Sequence, residues 1–450
     1  MGETATKTLG NAGEIPAVPV PASTVSDEHG AAGLRRMTAA QEWRAYWPMV
    51  LAAFVSLGFP IMPYNSLGLF IEPLSHEFGW SRTIVTAGAS LAAILAVPCS
   101  PFIGALVDRW GVRRLALPGL ILTASAMAAF GLATGSPGQW LMLWGMYAVV
   151  ALLLKSTIWT AAISHAFTAG RSVALAAVLS GGAGFSAAIT PPLTEWLIDE
   201  HGWRAAYWLL AVGWGAPAFL LSLLFLRDIR GGRDMRQAAG HAVAAVDLPG
   251  LTVRQALRSP PLIRIAIATF FTLILTSALI VHKVPLLTEA GVTRQTAAWL
   301  TSLSGIAGLV GGLTTGWLLG RFNVGLVGGI TNAAMAVSLV PLLEPFRTPT
   351  LIVLSMLVVG YAGGTKLQMC SYLTGLYGGM RNYGKIFGLM ASIIAFTGAM
   401  SPMFGSAIYD LSGSYTLLIL IGIPLSLISS FLLFGLGPIP DWTKQSAEKG

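Results

Sequence analysis

Two lysines stand in long apolar runs of this 450-residue sequence that hold no other charge. Lys155 lies in MYAVVALLLKSTIWTAAI (146–163). Lys366 lies in GGTKLQMC (363–370), and a shift of 211 places one lysine on the other. An ammonium in an apolar helix costs about 2.5–3.5 kcal/mol even on a lenient insertion scale. It must shed its proton, snorkel to an interface or find an anion. None of the nineteen acidic residues falls deep in an apolar run; Glu72, Glu77, Glu195 and Glu289 all lie near run ends. A matched pair of cations with no acid at that depth is chemistry for holding a small anion, a carboxylate above all. Lys283, beside His282 in ALIVHKVPLL, adds a third ammonium nearer a run end. Trp159 follows Lys155 by four residues, so a continuous helix would put indole and ammonium on one face. Tyr64 and Asn65 follow two prolines in PIMPYNSLG, where bent backbone and polar groups suit a cavity wall. Any proton taken up within these runs is expected to ride on His282, whose imidazole type titrates near neutral pH, or on a lysine; with no such proton, one anion can only be exchanged for another.

The elements that carry these residues follow from composition. Hydrophobic residues make up 54% of the chain and charged residues 10%, against about 25% charged in soluble domains. So little polar surface cannot face water, and the chain reads as an all-α integral membrane protein. A bilayer core needs roughly 20 apolar residues per helix. Twelve segments qualify: 47–72, 83–107, 114–134, 139–165, 172–198, 204–226, 262–288, 295–319, 324–343, 350–377, 384–409 and 415–437. On these boundaries each of Lys155 and Lys366 sits about 16 residues into its helix, roughly 24 Å along the axis and past the midplane. Residues 1–44 are rich in Ala, Gly, Pro and Thr and read as a disordered cytoplasmic tail. The polar stretch 227–261 reads as a cytoplasmic linker dividing helices 45–226 from 262–437, and 438–450 as a second tail.

With both termini inside, twenty of the 27 Lys and Arg fall on the cytoplasmic side and four outside (Arg82, Arg204, Arg294 and Arg347). That asymmetry sets the orientation. It also accounts for the net charge of +8 without nucleic acid. Cys99 and Cys370 match no metal or redox spacing and read as reduced structural thiols.

The halves resemble each other. A shift of 212 lays PLSHEFGWSR (73–82) on PLLTEAGVTR (285–294), matching Pro73, Leu74, Glu77, Gly79 and Arg82 with Pro285, Leu286, Glu289, Gly291 and Arg294. The same shift pairs Arg109 with Arg321. A shift of 211 pairs Pro191, Asp199 and Gly202 with Pro402, Asp410 and Gly413. Charged matches at one offset point to two six-helix bundles related by pseudo-two-fold symmetry, a transporter architecture with its site between the halves.

GALVDRWGVRR (104–114) resembles the loop signature of the major facilitator superfamily, and GWLLGRFNVGL (316–326) is its remnant, with Gly320 where Asp108 would be. FIEPLSHEFGWSR (70–82) and the stretch 165–210 are similar to the bacterial monocarboxylate-porter branch. The acidic–glycine motif of many animal members is absent; GFPIMPYNS (58–66) stands there. The resemblance implies that helices 1, 4, 7 and 10 line a central cavity, so Lys155, Lys366, Trp159, Tyr64, Asn65, Lys283 and His282 are expected to bind substrate. It also implies that Gly104, Asp108, Arg109 and Arg113 latch the halves on the cytoplasmic side. Gly181, Gly182 and Gly184 are expected to be close-packing positions.

The expected activity is alternating-access transport of a small organic anion, coupled to protons, by a monomer in the inner membrane. A drug, sugar or siderophore carrier of the same superfamily is the alternative, and a non-transporting receptor the alternative of another class. No HExxH, GxSxG or P-loop pattern occurs, so no enzyme activity, cofactor or metal is expected.

Overall fold

The computed structural model describes residues 38–167, 169–227, 250–440 and 442, with the side chains of 100–105, 107, 108, 165 and 172 left aside. The expected tail over 1–37 and most of the linker and C-terminal tail lie outside the described residues. Among those described, eleven helical stretches are long and apolar enough to cross a membrane. The longest, Val173–Phe225, is two crossings joined at Gly202 (φ 76°, ψ 162°), which brings the crossings to twelve. We label them α1 (Ala39–Phe78), α2 (Arg82–Trp110), α3 (Val112–Leu132), α4 (Pro137–Ser164), α5 and α6 (the arms of Val173–Phe225 before and after Gly202), α7 (Pro260–Glu289), α8 (Arg294–Arg321), α9 (Val324–Leu342), α10 (Pro349–Gly378), α11 (Tyr383–Ser412) and α12 (Thr416–Phe434). An even number of crossings puts the start of α1 and the end of α12 on one side, the near side; the turns at Gly79, Gly202, Gly291 and Gly413 mark the far side.

Local chemistry explains the ends. Thr38 and Gln41 form a reciprocal capping box that starts α1 at Ala39, eight residues before the apolar run begins. The helix thus enters the stretch read as a tail. Pro137, Pro260 and Pro349 open α4, α7 and α10, where a missing N–H costs nothing. Thr252 and Gln255 repeat the capping box at a four-residue helix, Val253–Ala256, inside the stretch read as linker.

Buried apolar side chains form one cluster drawn almost wholly from α1–α6 and two drawn almost wholly from α7–α12. Each bundle therefore has its own core. Many large apolar side chains point outward instead, among them Trp196, Leu224, Val337 and Phe431. Such a surface suits lipid and not water.

The duplication is visible in the far-side turns. Glu77 accepts hydrogen bonds from the Trp203 indole (2.6 Å) and the Arg204 guanidinium (2.9 Å). Its counterpart Glu289 accepts from the backbone N–H of Tyr415 (3.0 Å) and from the Ser414 hydroxyl. The offsets 212 and 211 carry one set of residues onto the other. In each half the glutamate ending the first helix holds the turn between the fifth and sixth.

Candidate functional site

Helix α4 is not continuous. It runs as Pro137–Ala151, tightens into a 3-10 turn over Leu152–Leu154, breaks at Lys155 and resumes as Ser156–Ala166. Lys155 itself is extended (φ −60°, ψ 152°) and is the N-terminal flanking residue of the second piece. No Pro or Gly marks the break. Packing holds it: the buried Trp159 indole donates to the carbonyl of Leu154 at 2.9 Å, and α3 closes on Leu153 at Gly119, where a β-carbon would lie 2.7 Å from the Leu153 β-carbon. The expectation of a continuous helix through Lys155 is corrected here. Trp159 is committed to the break, and its nitrogen is occupied by backbone.

The second piece begins with polar side chains. Lys155 is half-buried, and Ser156 and Thr157 are exposed. Non-helical backbone at membrane depth is tolerated where it is buried in protein or lines a water-filled cavity. A helix start carries unsatisfied N–H groups and positive potential. An ammonium beside such a start, with two hydroxyls at hand, can receive a carboxylate.

Lys366 differs. Its helix passes through it unbroken, its side chain is 9% exposed, and its Nζ lies 3.5 Å from the Thr272 carbonyl of α7. With Thr269, Thr272, Asn332 and Thr365 it lines a cavity inside the C-terminal bundle, between α7, α9 and α10. Lys283 is also 9% exposed and donates to the Ser304 hydroxyl of α8 at 2.8 Å. The structure thus groups Lys366 and Lys283 in one half and places Lys155 in the other.

In α1 a 3-10 turn over Phe59–Ile61 frees the carbonyl of Pro60, which accepts from the Tyr147 hydroxyl of α4 at 2.9 Å. Just beyond it, Tyr64 packs edge-on against Trp144, and the Asn65 amide reaches the Ser186 hydroxyl of α5 at 3.4 Å. Both side chains are half-buried.

His282 is fully buried on the far side. Its Nδ1 is 2.9 Å from the Tyr415 hydroxyl, and its Nε2 is 2.9 Å from the Pro402 carbonyl and 3.3 Å from the Ser406 hydroxyl.

Of the expected gating residues, Gly104 and Asp108 have side chains outside those described. Arg109 is exposed. Arg113 donates to the Leu223 carbonyl at 2.7 Å, tying α3 to α6 of its own half.

The side-chain clasps between halves lie on the far side, at residues the sequence did not single out as gates. The Asp410 carboxylate of α11 accepts the backbone N–H groups of Arg82 (3.2 Å) and Thr83 (2.9 Å), capping α2 from the opposite bundle. The Arg82 guanidinium donates to the Tyr415 hydroxyl at 2.8 Å and lies 3.4 Å above the Tyr409 ring centre. The hydroxyls of Thr86 and Ser406 meet at 2.8 Å. Arg294, the repeat partner of Arg82, reaches the other way: to Glu195 of α5 at 2.8 Å, to Glu72 of α1 at 3.8 Å and to the Leu69 carbonyl at 2.5 Å. Between these clasps the bundles touch backbone to backbone; a β-carbon at Gly68 would fall 2.0 Å from the Val281 carbonyl oxygen. The far side is shut.

Gly182 packs on the Phe54 carbonyl of α1, where a β-carbon would lie at 2.6 Å, and Gly184 on Leu309 of the other half at 3.0 Å.

Comparison with known proteins agrees with this architecture. Residues 49–286 and 265–450 match the family model of the Major Facilitator Superfamily. Monocarboxylate transporter 13 of Bos taurus is 28% identical over 402 residues, covering 87% of this chain and 88% of that one. Monocarboxylate transporter 11 of Mus musculus is 26% identical over 416 residues, covering 87% of each. Among solved structures, a bacterial homologue of the human lysosomal transporter Spinster, inward-facing and unoccupied, superposes with a TM-score of 0.58 at 16% identity, covering 87% of this chain and 95% of that one. At that identity the likeness concerns the fold alone. Twelve crossings in two duplicated bundles, with a family match along nearly the whole described length, make this chain a multi-pass secondary transporter belonging to the Major Facilitator Superfamily.

Proposed function

We propose that this carrier moves small monocarboxylates together with protons across the inner membrane, as a monomer with both termini in the cytoplasm. The observation that carries this reading is the break in α4 at Lys155. It sets an ammonium, a helix start and the exposed Ser156 and Thr157 at one place in a membrane-spanning segment. In transporters, discontinuous helices aim their positive starts at anionic substrate groups. The resemblance to proteins named as monocarboxylate transporters supports the same cargo class independently.

In this reading Lys155 contacts the carboxylate. Lys366 and Lys283 supply positive potential from the opposite bundle, and Tyr64 and Asn65 line the cavity beside the kinked part of α1. The excess of Lys and Arg on the near side supports taking that side as cytoplasmic. The far-side clasps then close the periplasmic entrance, and Asp108 with Arg109 closes the cytoplasmic one in the alternate state. Uptake into proteoliposomes, screened across organic acids with pH and counter-anion varied, tests the reading. Acceleration of short-chain monocarboxylate uptake by an inward proton gradient is expected. Uptake confined to uncharged or cationic solutes would overturn it.

A further inference from the structure

The far-side clasps are built on equivalent arginines, but they end on different chemistry. Arg294 ends on the carboxylates of Glu195 and Glu72 and on the Leu69 carbonyl, with no imidazole among its partners. Arg82 ends on the Tyr415 hydroxyl, which in turn meets His282 Nδ1. We infer that His282 is the proton-binding site of this carrier, and that a proton there opens the far side by loosening the Arg82 clasp through Tyr415. This rests on the reading of the carrier as proton-coupled and names the group that serves it.

The hydrogen-bond directions are set by chemistry. The Pro402 carbonyl can only accept, so Nε2 of His282 carries hydrogen and Nδ1 offers its lone pair. The Tyr415 hydroxyl therefore donates to Nδ1 and accepts from Arg82. Arg82 is held by an oxygen whose own hydrogen is used by a neutral imidazole. A proton arriving at Nδ1 converts that acceptor into a donor. The tyrosine hydrogen must turn away, and imidazolium and guanidinium then face each other across one oxygen atom. Like charges at that separation repel.

The effect passes directly to the interface, because the residue that bears the guanidinium also starts α2, whose N–H groups Asp410 caps. Displacing Arg82 pulls the start of α2 from α11. The proton enters when the clasp breathes and admits water, and protonated His282 then favours the far-side-open state. Cargo bound between the bundles draws the far side shut again, and the proton leaves to the cytoplasm once the near side opens.

The surroundings focus the effect. Arg82 of α2 shares the Tyr415 hydroxyl with His282, and Asp410 of α11 caps the helix that Arg82 starts. Tyr409 of α11 stacks on Arg82, and Glu289 at the end of α7 is engaged by Ser414 and the Tyr415 backbone. Lys283, next in the chain, is bonded to Ser304. The imidazole is wedged against α11 at Gly405, where a β-carbon would lie 2.4 Å from Cδ2. There is no slack for the ring to swing aside, so the proton must be accommodated by Tyr415 and Arg82.

The test uses spin labels on Ser81→Cys and Leu411→Cys, exposed positions on either side of the clasp, with Cys99→Ala and Cys370→Ala. Label separation is measured in the full-length protein without substrate as pH is lowered. A shift to longer distances on acidification is expected. His282→Gln keeps a donor for Pro402 and an acceptor for Tyr415 but takes up no proton, and should abolish the shift. Tyr415→Phe keeps the ring and cuts the link, and should abolish it as well, so it decides the matter if His282→Gln does not fold. No shift in the parent protein, or an unchanged shift in either variant, overturns the inference. Because cargo is absent, a failure of carboxylate uptake with the shift intact would remove the cargo reading and leave the switch standing.

Discussion

Lys155 and Lys366 occupy matching positions of a duplicated sequence, yet the two halves use them differently. In the N-terminal half the helix breaks at the lysine, which becomes the flank of a new helix start with hydroxyls beside it. In the C-terminal half the helix continues, and the lysine turns inward to a carbonyl of its own bundle. The neighbours decide this. Trp159, one turn after Lys155, bonds the carbonyl that the break frees, while Cys370 stands at that place after Lys366 and has no comparable donor. Gly364 instead lets α10 press on α8, where a β-carbon would fall 1.8 Å from the Gly308 carbonyl oxygen, and α10 runs unbroken through that contact. Duplication preserves residues; packing assigns their work.

The largest way to break this comparison is Lys155→Ala. Loss of a charge-assisted contact of about 1.5–3 kcal/mol should weaken carboxylate binding by roughly one to two powers of ten. Lys155→Arg should recover only part of it, since a planar fork replaces a point charge. Equilibrium binding to purified protein checks both.

A smaller effect is expected at the clasps. Asp410→Asn removes a charged cap on α2, worth about 1 kcal/mol, and should lower the population of the far-side-closed state about fivefold. Accessibility of a cysteine placed below the clasp reports it; unchanged labelling would remove Asp410 from the gate.

Lys366→Met should matter less than Lys155→Ala for binding. It should leave the melting temperature unchanged or raised, because a buried ammonium is exchanged for an apolar chain of similar length. A melting curve and a binding isotherm on one preparation settle the point. The smallest effect belongs to Glu344→Gln. It breaks an exposed pair with Arg347 at 2.9 Å, of a kind worth about 0–1 kcal/mol, and should leave both melting temperature and uptake where they were.

Much of the architecture was legible in the residue order because its signals are local. Apolar runs placed the crossings, and the offsets of 211 and 212 exposed the two bundles. The helix-holding role of Glu77 and Glu289 was also there to be read, by carrying both offsets at once from 77, 203 and 204 to 289, 414 and 415. Other features depend on contacts between distant segments. The break at Lys155 follows LLL, a sequence with no helix breaker, and needs α3 and Trp159 to hold it. The Arg82 clasp joins residues more than three hundred positions apart. Matching arginines were visible in the sequence, whereas their partners were not, because Ser406 stands where Glu195 would repeat and Asp199 is exposed where Asp410 caps a helix.

The central claim is that the two lysines are unequal and that Lys155 holds the cargo. Its most direct test is proton-driven monocarboxylate uptake into proteoliposomes by the parent protein, Lys155→Ala and Lys366→Ala, side by side at equal reconstituted amounts. The account predicts near loss of uptake in Lys155→Ala and substantial uptake in Lys366→Ala. Uptake by Lys155→Ala equal to that of the parent would contradict it.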